Sequence, residues 1–125
     1  MDRLEWIPVI CKAAAQQNMN RKYVKNRIGK LRQALSAMLD EWGRYEQATL
    51  NQHGFNFRGV QMLQRAAALI QCEFKCMKCA IDDLEVWSDS GRPFNLQRAG
   101  RAYAKAQKVW QKRLTLLCQL KSNQI

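Results

Sequence analysis

Three stretches of this chain repeat apolar residues in alternating steps of three and four. A chain built this way folds as long amphipathic helices packed lengthwise against one another. The first run is Val24, Ile28, Leu31, Leu35, Met38, Trp42 and Tyr45. The second is Val60, Leu63, Ala67, Ile70, Phe74, Met77, Ile81 and Leu84. The third is Leu96, Ala99, Tyr103, Ala106 and Trp110, shifting one place to Leu114 and Leu117. The pattern predicts an all-α fold: an elongated antiparallel helical bundle of three long helices plus a short N-terminal helix, with residues 1–125 forming a single domain. With 47% apolar residues and only six Gly and two Pro, the composition suits a folded helical protein rather than a disordered tail.

Breaks in the periodicity set the expected boundaries. A first helix covers residues 4–17, with Pro8 at its opening turn or kinking it. Asn20 is the expected N-cap of a helix reaching Leu50, in which Gly29 and Gly43 are weak points. His53-Gly54 reads as a turn, and Asn56 as the cap of a third helix ending near Trp87. Ser88 to Pro93 reads as a loop, after which Asn95 caps a fourth helix running to about Ser122.

The net charge of +11, with a pI of about 9.9, is unevenly placed. Residues 92–125 hold eight basic and no acidic side chains, residues 20–53 hold seven and three, and residues 54–91 hold four and five. Arg98, Arg101, Lys105, Lys108 and Lys112 lie two residues beyond the third apolar set, about 200° around a helix from it. They therefore form a basic ridge, continued by Arg113, on the face opposite the expected core. A second basic concentration includes Arg21, Lys22, Lys25, Arg27, Lys30 and Arg32, spread around the second helix. Such a balance points to a polyanion, and phosphate backbone is the expected ligand of Arg98, Arg101, Lys105, Lys108, Lys112, Arg113, Arg21, Lys22, Lys25 and Lys30.

Asp82, Asp83 and Glu85 sit near a helix C-terminus and Arg98 in a first turn, each the end that the helix dipole disfavours for its charge. An up-down connection of the third and fourth helices brings these groups together. It would partly neutralise Arg98 and Arg101 and leave Lys105 to Lys121 as the freer part of the ridge.

Cys72, Cys76 and Cys79 have the bare spacing of the iron–sulfur motif of radical S-adenosylmethionine enzymes, but that motif belongs to a loop in an α/β barrel and here it lies within a helical pattern. A zinc site drawing a fourth ligand from Cys11, Cys118 or His53 is the other metal reading. The preferred expectation is no metal and no cofactor. The three cysteines instead form a small apolar face with Ala68 and Val86, buried under other helices or in a contact with a protein partner or second copy. Five cysteines, an odd number without a secreted framework's spacing, point to a reducing compartment. No basic leader with a long apolar run opens the chain, and the longest apolar stretch, Ala66 to Ile70, cannot span a bilayer. A soluble cytoplasmic protein without a membrane partner is expected.

Nothing in the sequence supports catalysis. His53 is the only histidine, and Arg44 lies eight residues upstream, outside the Arg-x4–6-His spacing of helical ribonucleases. No phosphate-binding glycine loop or Ser/Lys dyad is present, and Asp40-Glu41 and Asp82-Asp83 read as salt-bridge partners. Trp6, Trp87, Phe55, Phe57 and Phe94 fall at helix ends or loops, where they cap the bundle, stack on a base or dock a partner.

Two functions follow as expectations. The first is a basic helical protein that grips DNA or RNA backbone with little sequence specificity, as an accessory subunit of a larger nucleoprotein complex. In architecture alone the chain is similar to the small helical subunits of CRISPR effector complexes, a likeness that implies a place along guide and target strands. The second is a protein-interaction module, such as a phage- or plasmid-type inhibitor or adaptor, using the cysteine face or the end aromatics.

Overall fold

A computed structural model describes residues 3–16, 19–52 and 56–122, and every regular element among them is helical. A single 3-10 turn, Arg3–Glu5, leads into α1, Trp6–Ala15. The long helices are α2, Arg21–Leu50, α3, Phe57–Ser90, and α4, Pro93–Ser122. Pro8 is the third residue of α1, where its missing N–H falls among donors that have no intrahelical acceptor. The turn at His53-Gly54 lies outside the described residues, as does Phe55.

The two asparagine caps form as the sequence suggests. The Asn20 side chain accepts from the Lys22 amide at 2.8 Å, and that of Asn56 from the Gly59 amide at 2.8 Å. The third connection differs from expectation. α3 continues through Ser88, Asp89 and Ser90, so the loop contracts to Gly91 and Arg92. Gly91 adopts φ 71°, the left-handed conformation that ends a helix, and its amide donates to the Trp87 carbonyl at 2.7 Å. Pro93 then opens α4, and Asn95 is not a cap. It is buried in the first turn, donating from Nδ2 to Asp83 Oδ1 at 3.2 Å.

α3 is the central element, with α2 and α4 packed along it. Rising numbers in α2 meet falling numbers in α3: Lys25 pairs with Asp89, Arg32 with Asp82 and Glu85, and Trp42 clusters with Ile70. The same order relates α3 to α4, through Asp83 with Arg98, Glu73 with Arg113, and Leu63 clustering with Leu120.

The core has two parts. The larger gathers Ile7 and Ile10 of α1, Leu31 of α2, Ile81 and Leu84 of α3 and Ala99 of α4. The smaller contains Trp42, Met62, Leu63, Ala66, Ile70 and Leu120, with no contribution from α1. The short first helix thus completes a four-helix layer over one half of the molecule only.

The α2 stripe is buried as its periodicity predicts, except that Met38 and Tyr45 are only partly covered. On α4 Leu96, Ala99 and Ala106 are buried as expected and Tyr103 is half-buried, but Val109 is buried while Trp110 is exposed, against the expectation that Trp110 belongs to the core. The cysteine face also departs from expectation: Cys72 and Cys76 are half-buried, while Ala68, Cys79 and Val86 are exposed. α1 packs against α4 rather than over these cysteines, and the second buried flank of α3 is built from Ala66, Glu73, Ala80, Asp83 and Trp87.

A methyl group at Gly91 would occupy left-handed backbone and approach the Arg21 guanidinium to 3.0 Å. Gly91→Ala should therefore destabilise the fold by about 1–2 kcal/mol, read as a lower urea midpoint with unchanged m-value.

Candidate nucleic-acid interface

With Ala99, Ala106 and Val109 turned inward, Arg98, Arg101, Lys105, Lys108 and Lys112 all emerge on one exposed flank. That flank borders α3 rather than lying diametrically opposite the core. Lys105 stands near enough to Cys76 to favour its thiolate, although burial and the neighbouring Cys72 act more strongly and raise the Cys76 thiol overall. The ridge and the cysteines therefore share one face of the α3–α4 pair.

The carboxylates of α3 decide which cations remain available. Asp82 is bound by Arg32 at 2.9 Å and by Lys78 at 3.4 Å, and Glu85 by Arg32 at 3.4 Å. Asp89 pairs with Lys25, and its carbonyl accepts from Arg21 at 3.3 Å. Asp83 pairs with Arg98 at 3.5 Å, and the Arg98 guanidinium also lies 5.5 Å from the Phe94 ring centroid. The acidic end of α3 thus neutralises Arg98, as expected, but its remaining acids face α2 rather than Arg101. Among the described residues no carboxylate pairs with Arg101, Lys105, Lys108, Lys112, Lys22 or Lys30.

Arg113 leaves the candidate set. Its Nε and Nη2 grip both oxygens of Glu73, the second at 3.2 Å, and its guanidinium stands 5.9 Å from the Trp42 ring centroid. The side chains are 14% and 3% exposed, so this is a largely buried, bidentate pair. A phosphate would have to displace a carboxylate that has no other cation partner among the described residues. Arg21 and Lys25 are likewise engaged at Asp89, though on the surface, where such pairs hold weakly.

A group that the sequence reading did not connect, Tyr23 having no role in it, comes together where α1 meets α2. The Arg27 guanidinium lies 5.0 Å from the Trp6 ring centroid and 4.8 Å from that of Tyr23. The four-residue spacing of Tyr23 and Arg27 was a readable signal; the arrival of Trp6 from α1 was not. Of the other end aromatics, Trp87 is buried, whereas Phe57 and Phe94 are exposed.

Between α2 and α4, beyond the start of α1, lie two adjoining hollows of about 380 and 220 Å³. Both are lined by Met38, Glu41 and Arg113, with Tyr103, Trp110 and Met77 in one and Trp42, Tyr45 and Leu117 in the other.

All five cysteines are free thiols, and among the described residues no group of three or more His, Cys, Asp or Glu side chains is placed to hold a metal ion. No helix among them is long and apolar enough to cross a membrane. Comparison of the chain with protein-family models, with curated proteins and with solved structures gave no match.

Two outcomes follow. Glu73→Leu should cost about 3–5 kcal/mol by stranding the buried Arg113, whereas Glu73→Leu with Arg113→Met should recover most of that loss; chemical denaturation of the two variants is the check. Burial raises the Cys11 thiol to about 11, so its thiolate is scarce below that pH. Timed alkylation at pH 8 followed by peptide mass mapping should label the exposed Cys79 and Cys118 first and Cys11 last.

Proposed function

We propose that this chain is a basic, helical nucleic-acid-binding protein that holds phosphate backbone along the exposed flank of α4, with little sequence specificity. The observation that carries the proposal is the row Arg101, Lys105, Lys108 and Lys112: all are exposed, none is paired with a carboxylate among the described residues, and no acidic residue follows Asp89 in the sequence. At 1.5 Å per residue, steps of three and four set these charges about 5 Å apart along the helix. That is comparable with the ~3.4 Å axial spacing of phosphates on one strand of a duplex. Lys22 and Lys30 on α2 supply further contacts. Lys25 contributes only by exchanging the exposed carboxylate of Asp89 for a phosphate, Arg98 by leaving the buried Asp83, and Arg21 by leaving the Asp89 carbonyl.

The arrangement we assign is an elongated antiparallel bundle, the geometry that best accounts for the reversed order of pairing along α3. Charges held on the flank of a long helix favour a backbone contact over insertion of a reading element into a groove. The role that fits is an accessory subunit of a larger nucleoprotein complex. A reducing cytoplasm, where five thiols remain free, suits it. The function is binding, with no catalytic step assigned.

A second reading, a protein-interaction module, draws on a separate observation. The Ala68, Cys79 and Val86 face and the open hollow between α2 and α4 leave apolar surface that the chain itself does not cover. The ridge and this surface make different demands on salt, which separates the readings.

Replacing Lys105, Lys108 and Lys112 together with Gln should leave the thermal midpoint nearly unchanged, since exposed unpaired charges contribute little to stability. Affinity for generic DNA or RNA should fall sharply. The slope of log affinity against log salt should flatten by about 0.7–0.9 for each phosphate that the variant no longer neutralises. A triple variant that binds like the parent would sink the assignment to α4.

A further inference from the structure

We infer that Trp6, Arg27 and Tyr23 form a stacking platform for an unpaired base, so that the nucleic acid held by this protein is single-stranded where it crosses α2. The inference rests on the phosphate-binding reading above and specifies its substrate class.

The Arg27 guanidinium lies over two rings, 5.0 Å from the Trp6 centroid and 4.8 Å from the Tyr23 centroid. Tyr23 remains 47% exposed even with Arg27 over its ring. Beside these rings is a hollow of about 270 Å³, floored by Ile10 and Met19 and rimmed by Val9, which is itself 57% exposed.

The chemistry of the stack selects its ligand. Two aromatic rings around an empty space form a cage for a cation. Here the chain's own guanidinium already lies over both rings, so a second cation is repelled. Among the described residues no carboxylate takes up its N–H groups. Those donors suit the carbonyl oxygens of a base or the oxygens of a phosphate. Lys30, three residues beyond Arg27 and therefore on the same side of α2, is exposed and has no carboxylate partner among the described residues. A planar ring with acceptor edges, joined to an anionic linker, satisfies the exposed Tyr23 ring, the Arg27 donors and Lys30 together. A nucleobase with its phosphate is such a group. In a duplex the base faces are already stacked on one another, so only an unpaired base reaches the ring.

The test is a fluorescence-anisotropy titration of the full chain with an oligo(dT) strand and with a DNA hairpin carrying the same number of phosphates, at one fixed salt concentration. The parent should bind oligo(dT) more tightly. Tyr23→Leu should lose about 5- to 150-fold in oligo(dT) affinity, the range for removing one base–aromatic stack. Its hairpin affinity and salt slope should be unchanged, and Tyr23→Phe should bind like the parent. Ultraviolet crosslinking of the parent to oligo(dT) should leave nucleotide on the peptides holding Trp6 or Tyr23, a readout that does not depend on any variant folding. Equal affinity for strand and hairpin, with Tyr23→Leu binding like the parent, overturns the platform. If the Lys105/Lys108/Lys112 variant still loses affinity in that case, the ridge stands without it. Failure of the parent to bind either oligonucleotide overturns both.

Discussion

The acidic side chains of α3 are answered by cations, and that pairing shapes both the packing and the surface charge. Glu73, Asp82, Asp83, Glu85 and Asp89 are the five acids of this helix, and each is bound by an arginine or lysine. Arg32 and Lys25 reach from α2, and Arg98 and Arg113 from α4. Most of these pairs are exposed and individually weak. Together they match the cations of α2 and α4 to the acids of α3. The exception is Glu73 with Arg113, buried beside Trp42, where losing one partner strands a charge away from water.

Because α3 engages Lys25, Arg32, Arg98 and Arg113, the positive charge that remains is sorted by position. Lys105, Lys108 and Lys112 lie beyond the reach of the acids clustered near the α3 C-terminus, and Glu73 is taken by Arg113. On α4 the unpaired charge therefore lies on the flank bordering the cysteines, with Lys22 and Lys30 unpaired on α2. The phosphate-binding proposal rests on this sorting rather than on the net charge of +11 by itself. Trp6, Arg27 and Tyr23, at the junction of α1 and α2, form the aromatic contact that we propose beyond the ridge.

The helices were legible in the sequence because their periodicity and their asparagine caps are local signals. Val24 to Trp42 and Leu63 to Leu84 needed no knowledge of distant residues to be placed. The errors share one cause, dependence on a neighbouring helix. Val109 and Trp110 are both apolar, and only the position of α3 decides that Val109 turns inward. Arg113 follows Lys112 in a basic run and looks no different, since its partner Glu73 is 40 residues away. Cys72, Cys76 and Cys79 lie on a helix that was expected to be covered on two faces. The covered flank proved to be that of Glu73, Ala80 and Trp87, because Arg113 and Asn95 make its polar members acceptable in the interior. The loop at residues 88–93 was overread because Gly91 alone is sufficient to end α3, leaving Pro93 free to open α4.

The central claim is that the sorted charge on α4, and not the engaged charge around α3, meets phosphate. Lysine footprinting tests it most directly: reductive methylation of the protein alone and saturated with an oligonucleotide, with each lysine quantified by mass spectrometry. The account predicts protection of Lys105, Lys108 and Lys112 and little change at Lys78, which pairs with Asp82 on the other side of α3. Protection spread evenly over all lysines, or absent from α4, would contradict it.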